Sequence, residues 1–83
     1  MGDIMGRKKP VIAYILAVVK TGKEYDVFEG IKNIDGVKEV VITYGLWDMI
    51  IKIEVDNLSK LDRVVTQVRN LSGIERTTTL IGV

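Results

Sequence analysis

A six-residue pattern recurs in this chain. Ile34-Asp35-Gly36-Val37-Lys38-Glu39 matches Leu71-Ser72-Gly73-Ile74-Glu75-Arg76, and the two glycines stand 37 positions apart. Each copy reads as a helix end, a glycine that stops it and the start of a strand. Eighty-three residues make one domain, so the repeat builds that domain from two βαβ units in tandem. The result is βαββαβ. Right-handed crossovers then set the strands of an antiparallel sheet in the order 4-1-3-2.

The residues between the repeats agree with that order. Val11 to Lys20 is almost continuously aliphatic and β-branched, the mark of a strand covered on both faces and therefore central. Thr21-Gly22-Lys23-Glu24 has capping-box spacing, and Val27, Phe28, Ile31 and Ile34 make one apolar stripe on a first helix closed by Gly36. Gly30 within that helix costs about 1 kcal/mol against alanine and reads as close packing on the sheet. Val37 to Tyr44 is a second strand, and Tyr44-Gly45-Leu46 is a tight turn. Trp47, Met49, Ile51, Ile53 and Val55 then alternate with Asp48, Ile50, Lys52 and Glu54, a period of two. Asp56-Asn57 offers an N-cap to a second helix built on Leu58, Leu61, Val64, Val65, Val68 and Leu71. Ile74 to Val83 is the last strand. Strands two and four carry more charge and threonine and read as edges. Val40, Ile42 and Ile50 extend an apolar set on the side without helices, so that face calls for a second subunit.

Composition points the same way. Hydrophobic residues are 47% of the chain and mean hydropathy is +0.21. A chain this short buries only ~60% of its unfolded surface, so the excess belongs against a partner, and self-association is expected. No cysteine is present, which excludes disulfides and thiolate metal sites. No histidine is present either, which removes the commonest general base and metal ligand. The longest apolar run, Val11 to Val19, is strand-sized and far short of a membrane span. Residues 1–10, with Arg7, Lys8, Lys9 and Pro10, read as a flexible arm without signal-peptide character, and the cytoplasm is the default. Beyond that arm, nine basic residues face ten acidic ones, which leaves no electrostatic footprint for nucleic acid.

Catalysis finds little support. The threonines Thr21, Thr43, Thr66 and Thr77 to Thr79 have no histidine to activate them, and edge-strand threonine is ordinary β-propensity. A Walker-type phosphate loop is absent, and so is the aromatic motif with which this topology recognises RNA. The turn is the better candidate. Its backbone N–H groups around Gly45 and Leu46 suit a carboxylate, and Asp48 suits an ammonium, the two charges of a free amino acid. The plain alternative is that Gly45 only makes the turn and Asp48 only ends a strand.

Tyr44-Gly45-Leu46-Trp47-Asp48-Met49 and Gly73-Ile74-Glu75-Arg76-Thr77-Thr78-Thr79-Leu80 resemble two signatures of the C-terminal domain of Lrp/AsnC regulators. Ala13-Tyr14-Ile15-Leu16 and Ile34-Asp35-Gly36-Val37 also fit, and the likeness runs over residues 11–83. It implies a ferredoxin-like α+β domain that dimerises through its sheets, assembles further, commonly to octamers, and binds small effectors between dimers. Carried onto this chain, the binding positions are Tyr44, Gly45, Leu46, Trp47 and Asp48, with Thr77, Thr78 and Thr79 as further lining. Trp47 stands where the family often has a smaller aromatic, which narrows the pocket.

The family's regulators also carry a helix-turn-helix, for which the ten residues before the domain leave no room. The expectation is therefore a stand-alone form that does not read DNA itself. It would sense an amino acid or related metabolite, without cofactor or metal, and co-assemble with full-length Lrp/AsnC regulators. Two other readings stay open on residues alone. One is a small cofactor-free enzyme of the dimeric α+β barrel type, the other a purely structural assembly module.

Overall fold

The computed structural model describes residues 9–83; the arm expected over residues 1–10 lies, apart from Lys9 and Pro10, outside the described residues. Six elements follow in the order β1 (Val11–Val19), α1 (Glu24–Lys32), β2 (Val37–Ile42), β3 (Met49–Val55), α2 (Leu58–Arg69) and β4 (Ile74–Ile81). The sheet runs β2-β3-β1-β4 and every pairing is antiparallel, which is the expected βαββαβ ferredoxin-like α+β topology.

The core lies on one side of the sheet. Ala13, Ile15, Ala17 and Val19 of β1 and Met49, Ile51 and Ile53 of β3 are buried there. Over them lie Val27 and Ile31 of α1 and Leu61, Val64 and Val68 of α2. Alternation in β3 thus translates directly into burial, as a period of two requires. The repeat is also physical. Val37 N–H donates to Ile34 O at 3.1 Å, and Ile74 N–H donates to Leu71 O at 3.2 Å. Gly36 and Gly73 hold the same left-handed conformation, with φ +99 and +101. Their carbonyls play one role: Gly36 O accepts Glu54 N–H at 2.9 Å and Gly73 O accepts Lys20 N–H at 2.8 Å.

Five local expectations change. The first helix begins after a turn in which Lys23 N–H donates to Lys20 O, so Lys23 and not Thr21 is its N-cap. Neither half of the capping box forms; Glu24 Oε1 instead accepts Gly22 N–H at 2.9 Å. Its last residue is Lys32, and Gly36 serves the turn beyond it. Gly30 packs not on the sheet but against Leu71, which an added Cβ would approach to 3.2 Å. The hairpin is also looser than a tight turn, since β2 stops at Ile42 and β3 starts at Met49.

The fifth change concerns the bare side of the sheet. A register shift between Val37 and Glu39 puts one extra residue into β2. Val40 and Ile42 therefore pair with Ile51 and Met49 on the helix side, and Val41 joins Ile50 on the open side. The open face remains apolar all the same. Ile12, Tyr14, Leu16 and Val18 of β1 stand beside Ile50, Val41 and Leu80 with no helix above them. Tyr14, Val41 and Leu80 are exposed, at 37%, 43% and 52%.

Asn57 caps α2 as expected, its Oδ1 accepting Lys60 N–H at 2.8 Å. Asn57→Ala is expected to lower stability by about 1 kcal/mol, read as a lower urea midpoint at unchanged slope. An unchanged midpoint would mean that solvent caps the helix equally well.

Candidate functional site

The β2–β3 connection, Thr43 to Asp48, is braced at its base and bare at its tip. Thr43 N–H donates to Asp48 O at 2.9 Å, and Thr43 Oγ1 donates to Trp47 O at 2.6 Å. Asp48 extends the β1–β3 ladder, its N–H donating to Ala17 O at 2.8 Å. Its carboxylate Oδ2 accepts Val19 N–H, also at 2.8 Å, and so ties the end of β1 to the loop. A charged acceptor on a part-buried N–H is among the stronger bonds of a fold, worth about 1.5–3 kcal/mol. Asp48 is thus a bracing residue before it is anything else.

At the tip, Tyr44 is fully exposed and Leu46 is 86% exposed, on either side of Gly45 at φ +118. Trp47 is half-buried, and the guanidinium of Arg76 on β4 lies 5.7 Å from its ring centre. That cation–π contact joins the loop to β4 and fixes the indole at the loop base.

The three threonines do not share a face. Thr77 and Thr79 pair with Ala17 and Ile15, which places them on the helix side of β4. Thr78 pairs with Leu16 and is exposed on the open face. Thr77 and Thr79 line a groove of about 350 Å³ between α2 and β4, together with Val65, Arg69, Ile74, Glu75 and Arg76. The hairpin and the start of β4 lie at the same end of the sheet, because Trp47 touches Arg76. Thr78 is separated from the groove by the sheet itself.

Sequence reasoning passed over Arg69 and the Arg76–Trp47 contact, and weighed Thr43 only as a nucleophile, not as the brace it forms with Trp47 O. Nothing in the pattern marks Arg69, a charged residue in the last turn of an amphipathic helix. Glu75 and Arg76 lay inside a signature segment, but only the folded strand shows which way each is turned. Among the described residues no cluster of three metal-ligating side chains forms, and no helix is long and apolar enough to cross a membrane.

The pattern of the Lrp/AsnC ligand binding domain matches residues 12–82. The HTH-type transcriptional regulator FL11 of Pyrococcus furiosus is 34% identical over 71 residues, or 86% of this chain. Those residues are 47% of FL11, so the chain spans about half the length of that relative. The crystal structure of FFRP-DM1 superposes with a TM-score of 0.83 at 39% identity, covering 88% of this chain and 99% of that one. The transcriptional regulator NMB0573 of Neisseria meningitidis, crystallised as an L-Met complex, shares the fold at 12% identity. Its TM-score is 0.78, with 88% of this chain and 49% of that one aligned. The βαββαβ sheet, the braced Tyr44–Asp48 loop and the Gly73–Leu80 segment together belong to one known domain type, and this chain is a member of the Lrp/AsnC ligand binding domain family.

Proposed function

We propose that this chain is an oligomeric, non-enzymatic effector-binding protein that senses an amino acid or a related small metabolite. It acts on transcription by co-assembling with full-length Lrp/AsnC regulators, which supply the DNA contact. The observation that carries this reading is the hairpin, a loop braced by Asp48 and Thr43 whose tip residues Tyr44 and Leu46 stand almost wholly exposed. A braced loop with bare aromatic and aliphatic side chains is preorganised for contact with another subunit or a ligand. The apolar open sheet face supports dimers in the same way, and both described helices are occupied in covering the sheet.

The effector site in this reading is assembled from Tyr44, Gly45, Leu46, Trp47 and Asp48 of one copy, brought up to the Thr77 and Thr79 groove of another. Thr78, on the far face, belongs to the dimer contact. The L-Met held by the Neisseria meningitidis regulator supports an amino acid as the class of effector.

Thermal-shift and light-scattering measurements with each of the twenty amino acids test the proposal. A true effector at a hundredfold excess over its Kd adds about 2.7 kcal/mol, which raises the midpoint of a domain this size by ~10 °C or more. The scattering mass should rise with it, since a site between subunits favours the assembled state. If no amino acid moves either reading, the effector assignment fails.

A further inference from the structure

Each helix packs beside the glycine turn of the other half, and the two junctions differ. A Cβ at Gly73 would meet Val27 and Lys23 of α1, and a Cβ at Gly36 would meet Val64 of α2. With counterparts 37 positions apart, Lys23, Asp26, Val27 and Gly30 correspond to Lys60, Arg63, Val64 and Gln67. Leu71 lies directly against Gly30 at the first junction. At the second, Gln67 stands in place of that glycine, and a groove of about 230 Å³ is open. Val55 and Val64 give it an apolar floor, with Lys60, Arg63 and Gln67 on the α2 wall and Asp35 on the other. The fold does not demand this charge, since Asp26 occupies the position equivalent to Arg63. The ion pairs among the described residues are Lys32–Glu29 and Lys60–Asp56, so the Arg63 guanidinium is uncommitted. Lys60 meets Asp56 at 2.8 Å in an exposed pair, which leaves two of its three N–H donors over.

We propose that this groove binds a small phosphorylated metabolite, with Arg63, Lys60 and the Gln67 amide on the phosphate and Asp35 on a hydroxyl of the same molecule. A phosphate ester presents three strong acceptor oxygens, and guanidinium, ammonium and amide are the donors that suit them. A carboxylate has only two oxygens and leaves one of these donors idle. Asp35 and Asp56 together repel a bare anion. The site therefore favours an ester whose own hydroxyl gives the Asp35 carboxylate a proton to accept. The carbon atoms between phosphate and hydroxyl lie on Val55 and Val64. No residue of the hairpin or of β4 lines this groove, so the assignment stands apart from the effector reading above.

Isothermal titration at low salt tests this with glycerol 3-phosphate, inorganic phosphate and glycerol. Glycerol 3-phosphate should bind tightest and inorganic phosphate about 10-fold more weakly, the worth of one charge-assisted bond, while glycerol should not bind. Arg63→Gln should weaken both phosphates by about 10-fold or more. Lys38→Gln, which removes one positive charge outside the groove, should change neither. Asp35→Asn has the opposite sign: it should tighten inorganic phosphate and narrow the advantage of the ester. Arg63, Lys38 and Asp35 are exposed, so the melting midpoint without ligand should not move. Any response to an amino acid should survive Arg63→Gln, which keeps this test separate from the effector assignment. Equal losses in Arg63→Gln and Lys38→Gln would reduce the effect to general charge attraction and overturn the site. Failure of either phosphate to bind, or binding that Arg63→Gln leaves unchanged, would overturn it as well.

Discussion

A Leu16→Lys chain is expected to leave the assembled state and run as a single particle of 9.3 kDa with its fold intact. Leu16 sits at the middle of the central strand, flanked by Ile50 on β3 and Thr78 on β4, with Tyr14 and Val18 next to it along the strand. All of these are on the face opposite the helices, so the core of Ile15, Ile51 and Ile31 does not feel the change. The partner does. In a twofold dimer formed through this face the substitution enters twice. Each copy forfeits the burial of a leucine, about 1.5–3 kcal/mol, before the desolvation of the ammonium is added. The pair therefore loses at least ~3–6 kcal/mol, which is 100-fold to 10,000-fold or more in Kd. Light scattering at matched concentration reads the mass, and circular dichroism reads the fold. Leu16→Lys that keeps the mass of the unaltered protein would place the subunit contact elsewhere, and the hairpin or an edge strand would then be the surface to alter.

That face was legible in the sequence in kind but not in detail. Continuous aliphatics in Val11 to Val19 announce a strand covered on both sides, and the strand lies at the middle of the sheet with one side buried by helices. Which residues of β2 share its open side was not legible. The extra residue between Val37 and Glu39 reverses the phase of everything after it, exchanging Val40 and Ile42 for Val41. A bulge in a run of valines leaves no mark in a hydrophobicity pattern. The candidate site divides similarly. Signature segments named Tyr44 to Asp48 and Thr77 to Thr79; the loop lies at the end of the sheet where β4 starts, and the threonines run from near that end to the middle of β1, beside Ala17, Leu16 and Ile15. Asp48 turned out to hold β1 through Val19 N–H, a contact across 29 positions that no local pattern encodes. Thr78 was grouped with its neighbours by sequence and is parted from them by the pleat, because successive side chains in a strand face opposite ways.

The glycines give the second large effect, and they separate two physical causes that usually travel together. Gly36→Ala and Gly73→Ala should each cost ~2–5 kcal/mol, whereas Gly45→Ala should cost only ~1–2 kcal/mol. All three residues have φ in the left-handed region, at +99, +101 and +118, so all three substitutions incur backbone strain. Space distinguishes them. A Cβ at Gly36 would meet Val55 Cγ1 at 2.9 Å and Val64 Cγ2 at 3.1 Å, inside the packed layer between β3 and α2. A Cβ at Gly73 would meet Val27 Cγ2 at 2.8 Å and Lys23 Cβ at 2.9 Å. A Cβ at Gly45 would meet no described atom beyond its chain neighbours within 4 Å. A branched valine in a close-packed core has little room to retreat, so crowding adds about 1–3 kcal/mol to the strain. Domains of this length have about 4–12 kcal/mol in total, at 0.05–0.15 kcal/mol per residue. One repeat glycine therefore carries a large fraction of the stability, and the double variant Gly36→Ala/Gly73→Ala should not fold. Urea unfolding at one fixed protein concentration measures the difference, since assembly makes the midpoint concentration-dependent. Equal losses at Gly36 and Gly45 would show that strain alone decides. Gly36 and Gly73 hold equivalent turns against different partners, so similar losses at both would show that the two βαβ halves are closed by the same device.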